Sequence, residues 1–279
     1  MRRQLTLKNK RTKWLAMPFT IWSVIFILIP LFMIFYYGFV DSSGQVTLEN
    51  IRAITQTEHL KALGLSILLS LIATVICLLL AYPLAMILSR LGVNKNSFIV
   101  LLFILPMWMN FLLRTLAWQT LLEKNGVINS ILSFFHLPAI NIINTSYAIV
   151  LGMVYNFLPF MVLPIYNSLV KLDKDVINAA RDLGANGFQT FIKVIFPLTL
   201  PGVISGITMV FIPALTTFVI SNLLGGSKVL LIGNVIEQEF TQAGNWNLGS
   251  GLSLVMMLFI VISMAASAIF DKDGEGNLF

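Results

Sequence analysis

Residues 175–197 read Asp175-Val-Ile-Asn-Ala-Ala-Arg-Asp-Leu-Gly-Ala-Asn-Gly-Phe-Gln-Thr-Phe-Ile-Lys-Val-Ile-Phe-Pro197, a polar segment between two long uncharged stretches of the chain. The rest is strongly apolar: 57% of the 279 residues are hydrophobic, 11% are charged, and the mean hydropathy is +0.88. Such a composition leaves too little polar surface to cover a soluble globule. The apolar residues are also gathered in blocks, which indicates an integral membrane protein with a polar segment at one membrane face.

About 20 apolar residues are needed to cross a hydrocarbon core of ~30 Å, and six blocks of this length predict six transmembrane helices. They lie at 15–39, 65–88, 98–121, 147–169, 198–223 and 248–270. Helices are favoured because they satisfy backbone hydrogen bonds internally. We therefore predict an all-α membrane protein with a basic tail (1–14), a six-helix transmembrane domain (15–270) that contains a polar loop (171–197), and a C-terminal tail (271–279).

The distribution of Lys and Arg predicts the orientation of these helices. With the N-terminus placed in the cytoplasm, thirteen basic residues fall on the cytoplasmic side and four on the external side, while Arg114 lies within the third span. Cytoplasmic loops carry the excess of positive charge in membrane proteins. Both termini and the loop 171–197 are therefore predicted to be cytoplasmic.

The sequence offers no constellation for covalent chemistry or metal binding. Cys77 is the single cysteine and lies inside a predicted span, whereas His59 and His136 are predicted to lie in external loops. No Gly-x-x-x-x-Gly-Lys-[Ser/Thr] phosphate-binding loop occurs. We expect no catalytic residue, no metal site and no cofactor in this chain.

The polar loop predicts two short helices joined by a turn. Asp173 or Asp175 is suited to cap the first helix, and Gly184 to end it, because glycine enters the left-handed region at little cost. The predicted apolar stripe of this helix is Ile177, Ala180 and Leu183. The pattern alone also fits an amphipathic helix that lies on the bilayer surface.

Asn186 and Gln189 have the spacing of a capping box, which predicts the start of the second helix. Its predicted apolar stripe is Phe188, Phe191, Ile192 and Ile195. Pro197 and Pro201 predict a break in the helix before the fifth span.

The loop resembles the coupling loop of membrane permeases from ATP-binding cassette (ABC) importers of the MetI-like, type I family. The family pattern Glu-Ala-Ala-x-x-x-Gly, then nine residues and Ile-x-Leu-Pro, is matched by Ala179-Ala180-x-x-x-Gly184 and Val194-Ile195-Phe196-Pro197. The resemblance implies a cytoplasmic coupling helix that docks into a partner ATPase. The residues it assigns to coupling are Asn178, Ala179, Ala180, Arg181, Asp182, Gly184 and Pro197. Asn178 stands where the family has Glu, which removes one charged contact with the ATPase.

Four further stretches resemble the spermidine/putrescine permeases (PotB type) within that family. They are Leu-Pro-Met-Trp-Met-Asn-Phe-Leu-Leu-Arg at 105–114, Leu-Pro-Phe-Met-Val-Leu-Pro-Ile-Tyr at 158–166, Lys-Leu-Asp-Lys at 171–174 and Gly-Gly-Ser-Lys-Val-Leu-Leu-Ile-Gly-Asn-Val-Ile at 225–236. This resemblance implies a non-catalytic polyamine permease in a bacterial cell membrane. The implied partners are a second permease (PotC-like), an ATPase homodimer that binds ATP and Mg²⁺ (PotA-like), and an external polyamine-binding protein (PotD-like).

Polar and aromatic residues within the spans are candidates for the lining of a translocation path. They are Trp108, Asn110, Arg114, Trp118, Tyr155, Asn156, Thr216, Thr217 and Ser221. Asn110, Arg114 and Trp118 recur every four residues and predict one polar helix face directed inward, since a charge facing lipid is costly. Arg114 is alternatively an internal strut, and the aromatic residues alternatively form an interfacial belt.

Glu237 and Glu239 are candidate external contacts for a cation or for the binding protein, although solvated loop charges explain them more simply. Three other functions stay open at this point. An importer of this family for ferric iron or a sulfate-type anion fits the same pattern. A secondary transporter would need carboxylates or histidines within the spans for proton or ion coupling, and a membrane-embedded enzyme would need a nucleophile or metal set there; the spans offer neither.

Overall fold

The computed structural model describes residues 17–90 and 108–276, with side-chain positions for all of them except 227 and 268–276. Within these residues the regular structure is helical, and the only strand-type pairing is an isolated bridge between Val40 and Val46. The predicted all-α membrane fold is thus confirmed.

The nine longer helices of the described residues are numbered in chain order. They are α1 (Met17–Gly38), α2 (Thr57–Arg90), α3 (Phe111–Leu122), α4 (Val127–Phe134), α5 (Ser146–Val170), α6 (Lys174–Asp182), α7 (Gly187–Thr216), α8 (Ile232–Thr241) and α9 (Trp246–Gly276). Short helical turns occupy Glu49–Arg52, Ala53–Thr55, Ser221–Gly225 and Gly226–Lys228.

Five helices are long and apolar enough to cross a membrane: α1, α2, α5, α7 and the Trp246–Ser267 part of α9. They correspond to five of the six predicted spans. The remaining prediction, 98–121, lies partly outside the described residues, and its described part contains α3. The polar first turn of α2 contains His59, so the loop position predicted for this residue is wrong. Hydrophobicity marks the part of a helix that lies in lipid, and the helix itself continues into the polar region.

Contacts divide the chain into two compact units. The first comprises the chain up to Gln56 together with Ile236–Leu258. In this unit the end of α1 lies against the start of α9, where a Cβ atom on Gly38 would come within 2.5 Å of the Leu254 side chain. The Asn247 side chain donates a hydrogen bond to the carbonyl of Val40, which fixes the turn after α1.

The second unit, Thr57–Val235 with Phe259–Phe279, contains a core formed by α2, α5 and α7. On α2, fully buried small residues recur every four positions, at Ala73, Cys77, Ala81 and Ala85. Small residues let helix backbones approach closely, which is how helices pack in lipid. The Tyr82 hydroxyl lies 2.7 Å from that of Thr199, which joins α2 to α7.

The helix break predicted at Pro197 and Pro201 is wrong, because α7 runs without interruption from Gly187 to Thr216. A π-helical turn at Phe191–Ile195 precedes the prolines, and the backbone N–H of Phe196 donates to the carbonyl of Phe191. Proline removes one helical hydrogen bond and crowds the preceding turn. The wider π turn relieves this crowding, so the polar loop continues directly into a helix long enough to span a membrane. This helix ends at Thr216, before the predicted end of the fifth span at 223, because Thr217 adopts an extended conformation.

Candidate coupling segment and translocation path

We call residues 171–197 the coupling segment. Its first helix, α6, begins where the Asp173 carboxylate accepts a hydrogen bond of 2.9 Å from the N–H of Asp175. It ends in a complete Schellman motif, in which Gly184 N–H bonds to the carbonyl of Arg181 and Ala185 N–H to that of Ala180. Gly184 has a φ of +84°, a conformation that side chains other than glycine rarely adopt. The predicted cap and stop of this helix are confirmed.

The start of α7 is equally well defined. Asn186 Oδ1 accepts from the N–H of Gln189, and Gln189 Oε1 accepts from the N–H of Asn186, at 2.8 and 3.0 Å. This is the predicted capping box. The C-terminal cap of α6, which includes Gly184, is thus followed directly by the N-terminal cap of α7.

The apolar stripe predicted for α6 is wrong at Leu183. Ile177 and Ala180 are half-buried, whereas Leu183 is 89% exposed because it follows the last helical turn and leaves that face. In the second stripe, Phe191 and Ile195 pack against the core, while Phe188 is 72% exposed. The segment therefore presents an outer apolar surface, which we call the coupling surface and define as Val176, Ala179, Leu183 and Phe188.

Polar groups surround the coupling surface. Asn178, Arg181 and Asp182 are exposed on α6, beside the exposed Ala179. Ala180 faces the protein, and Pro197 is exposed on α7. A small apolar patch with an ionic rim is typical of a protein docking site.

Three of the candidate path residues lie together on α3 and α5. The Trp118 and Tyr155 rings meet edge to face with their centroids 5.1 Å apart, and the guanidinium carbon of Arg114 lies 5.8 Å from the Tyr155 ring centroid. Arg114 is only 7% exposed, so it does face the protein interior. This distance is within the range of a cation–π contact, which stabilises the buried charge.

The inward polar face predicted for α3 does not include Asn110, which caps the helix. Its side chain accepts hydrogen bonds from the N–H groups of Leu112 and Leu113. Asparagine at this position satisfies free amides of the first turn. Trp108, just before the helix, is largely exposed.

The candidates on α5 and α7 differ in exposure. Tyr155 and Thr216 are exposed, whereas Asn156 and Thr217 are buried. Asn156 donates to the carbonyl of Gly152, and its side-chain oxygen has no partner among the described residues. Ser221 is fully buried and donates a hydrogen bond of 2.6 Å to Asn234.

Asn234 is a structural residue that the sequence-based analysis did not identify. Its side-chain oxygen accepts from the Ser221 hydroxyl and the Leu231 N–H, and its nitrogen donates to the Phe218 carbonyl and to Asn222. The residue is fully buried. It ties the segment 217–231, which follows the end of α7, to the start of α8. A lone amide in the apolar run 229–236 was the available signal, because a buried polar group requires partners.

The two external candidates lie on α8. Glu237 and Glu239 are half-buried, and a carboxylate oxygen of Glu237 accepts a hydrogen bond of 3.0 Å from the Thr241 hydroxyl. The Glu237 carboxylate thus already accepts one hydrogen bond from within its own helix.

Comparison with known proteins identifies the family. Residues 5–273 match the family described as the binding-protein-dependent transport system inner membrane component. The chain belongs to this family. It is a multi-pass membrane permease subunit, and as a component of such a transport system it functions with further subunits.

Named relatives extend over nearly the whole chain. The spermidine/putrescine transport system permease protein PotB of Haemophilus influenzae is 38% identical, with 91% of this chain and 93% of that protein covered. PotB of Escherichia coli K12 is also 38% identical, with 91% and 97% covered. A PotB homologue of Mycoplasma genitalium is 30% identical, with 85% and 81% covered.

Solved structures share the fold. A chain of a bacterial alginate ABC transporter, crystallised with an alginate pentasaccharide-bound periplasmic protein, matches with a TM-score of 0.75. The match covers 95% of this chain and 98% of that one at 14% sequence identity. The MetNI methionine ABC transporter matches with a TM-score of 0.54 over 77% of this chain and 95% of that one, at 15% identity.

Proposed function

We propose that this chain is the permease subunit of an ATP-driven importer of polyamines such as spermidine and putrescine. The observation that carries the proposal is the rigidly capped coupling segment with its exposed apolar surface, in a chain 38% identical to spermidine/putrescine permeases over 91% of its length. An outward apolar surface next to the start of a membrane-spanning helix suits a docking partner, and the resemblance of the segment to the family's coupling loop implies that this partner is an ATPase.

The assembly we propose contains a second permease of the PotC type, an ATPase homodimer of the PotA type and an external polyamine-binding protein of the PotD type. The ATPase supplies the ATP and Mg²⁺ sites, and this chain contributes no catalytic residue. We place the coupling segment in the cytoplasm, on the side that carries thirteen of the basic residues. ATP-driven closure of the ATPases then moves α6 and α7 together, because the two caps around Gly184 join them. Alternating exposure of the path to the two membrane faces follows.

Neutral acceptors and aromatic rings suit a path for a flexible polycation. Tyr155 and Thr216 offer exposed hydroxyl groups within membrane-spanning helices, and the buried Asn156 side chain has an oxygen without a described partner. Aromatic faces attract ammonium groups. Arg114 already lies beside the Tyr155 ring, so we assign it to holding this ring in place.

Transport by the reconstituted assembly tests the proposed substrate. Vesicles containing this chain with its second permease, its ATPase and its binding protein should take up labelled spermidine only when ATP is supplied. Excess putrescine should reduce this uptake, whereas excess sulfate or ferric iron should not. ATP-driven uptake of sulfate or iron without uptake of spermidine would contradict the polyamine assignment.

Leu183→Asp should prevent docking of the ATPase, because a carboxylate would have to be buried against an apolar cleft. We expect the ATPase to be lost when the permease is purified in mild detergent. Val46→Asp is the control, since Val46 is 84% exposed and lies outside the coupling segment. Equal retention of the ATPase by both variants would show that the coupling surface is not the docking site.

A further inference from the structure

A groove lies between the second half of α5 and the middle of α7, on the part of both helices nearest to the coupling segment. It encloses about 490 Å³. Phe160, Leu163 and Met209 form apolar walls, and Asn167, Ser168 and Ser205 contribute polar side chains. No residue that lines it is charged.

The polar side chains of the groove differ from other hydroxyl groups of the same helices. Thr199 and Thr208 on α7 donate to carbonyl groups of their own helix, which is the usual arrangement in lipid. The side chains of Asn167, Ser168 and Ser205 make no hydrogen bond with any residue in the described ranges. Polar groups at membrane depth normally face a partner or a water-filled cavity. These three are therefore available to a ligand.

Backbone oxygen atoms add to this set. Pro164 has no N–H, so the carbonyl group of Phe160, a residue of the groove lining, lacks its usual helical donor. The helices approach closely at Gly202, where a Cβ atom would lie 2.3 Å from the Ser168 hydroxyl and 2.7 Å from the Pro164 carbonyl. The Ser168 hydroxyl and the Pro164 carbonyl thus lie where the two helices meet, beside a lining that contains no charged residue.

We propose that this groove binds ammonium groups of an alkyl polyamine as it leaves the permease on the side of the coupling segment. The methylene chain would lie against Phe160, Leu163 and Met209, while the ammonium groups would contact Asn167, Ser168 and Ser205. Neutral oxygen atoms attract a cation without holding it as strongly as carboxylates do, which suits a site that must release its ligand. The inference rests on the proposed polyamine transport.

The polar end of the groove is separate from the candidate path residues described above, whereas its apolar end at Phe160 lies one helical turn from Asn156. Asn167 lies twelve positions beyond Tyr155 on α5, and Ser205 lies eleven positions before Thr216 on α7. At ~1.5 Å per helical residue these separations are roughly 16–18 Å. On both helices the displacement is toward the coupling segment. The same substrate would therefore reach these polar side chains after it has passed the candidate path residues.

Substitutions of Asn167 in the reconstituted assembly test the proposal. Asn167→Lys places a fixed ammonium in the groove, whereas Asn167→Met has similar bulk without charge. We expect the Lys variant to reduce spermidine uptake more than tenfold and putrescine uptake less, since putrescine has fewer ammonium groups. The Met variant should lose about threefold or less for both substrates. Thr208→Val, which removes a hydroxyl outside the groove, should transport like the wild type.

The outcomes distinguish a failure of the proposed groove site from a failure of the proposed polyamine transport. Equal losses in the Lys and Met variants, or a Lys effect that is the same for both polyamines, would overturn the groove and indicate a packing surface. Normal uptake by the Lys variant would also contradict the proposed groove site. The proposed function would still hold in that case, provided that the wild-type assembly takes up spermidine. An assembly that takes up no spermidine even as wild type would overturn both. Co-purification of the ATPase with each variant confirms that the protein has assembled.

Discussion

Gly184→Val should abolish ATP-driven uptake while leaving the protein inserted in the membrane. Gly184 has a φ of +84°, and a Cβ atom built on it meets nothing within 4 Å. The penalty is therefore conformational, because the new side chain would clash with no neighbouring residue. It is about 1–2 kcal/mol for an ordinary L-residue in the left-handed region and is larger for a β-branched side chain. Valine should instead open the Schellman motif and disconnect α6 from α7.

The chain offers a matched control three residues away. Gly187 is also exposed, and a Cβ atom built on it also meets nothing within 4 Å, but its φ is not in the left-handed region. Gly187→Val should therefore retain most uptake. Gly184→Asn should be intermediate, because asparagine tolerates positive φ better than other residues.

Measurement of uptake together with ATPase activity makes this test specific. We expect Gly184→Val to reduce uptake at least about tenfold, the factor that corresponds to ~1.4 kcal/mol. ATP hydrolysis should no longer respond to the substrate-loaded binding protein. Uptake by Gly184→Val equal to that of Gly187→Val would show that the left-handed turn does not contribute to coupling.

The coupling segment shows how far local sequence chemistry can predict structure. Asp173, Gly184 and the pair Asn186 and Gln189 each stand where backbone groups need a specific partner or conformation, and the structure uses them in that way. Such signals depend on neighbouring residues only. For this reason they can be recognised in a single sequence.

The predictions that failed depended on how surrounding structure accommodates a residue. Pro197 predicts a break by its own chemistry, but the π turn at Phe191–Ile195 absorbs it. Leu183 fits the helical period, yet the helix has already ended at Asp182. His59 lies in a polar stretch and is nevertheless part of α2. Periodicity and polarity describe average preferences, whereas helix ends depend on the cap that actually forms.

The role of Asn234 was beyond sequence analysis because its partners are scattered along the chain. Its four hydrogen bonds connect Phe218, Ser221, Asn222 and Leu231. Nearby, the N–H of Ile232 donates to the Ser66 hydroxyl on α2 at 2.9 Å. The segment after α7 is thus fixed both to α8 and to the core, a convergence that only the folded chain reveals.

Asn234→Ala should be strongly destabilising, because it leaves several buried polar groups without partners. Each such group costs about 1–3 kcal/mol, and a cavity adds to this. A loss of about 3 kcal/mol corresponds to a decrease in melting temperature of roughly 5–10 °C for a chain of this size. The segment 217–231 should detach first, and transport should fail with it.

The single cysteine of the chain provides the measurement. Cys77 is fully buried in the core of α2, α5 and α7, so its reaction with a thiol-specific dye reports opening of that core. During heating in detergent, Asn234→Ala should expose Cys77 several degrees below the wild type. Asn222→Ala removes one of the four bonds at an exposed residue and should shift the transition by a smaller amount. If the two variants melt together, the buried amide is not the residue that holds this segment in place, and the connection between α7 and α8 must depend on apolar packing at Ile220, Leu224 and Leu231.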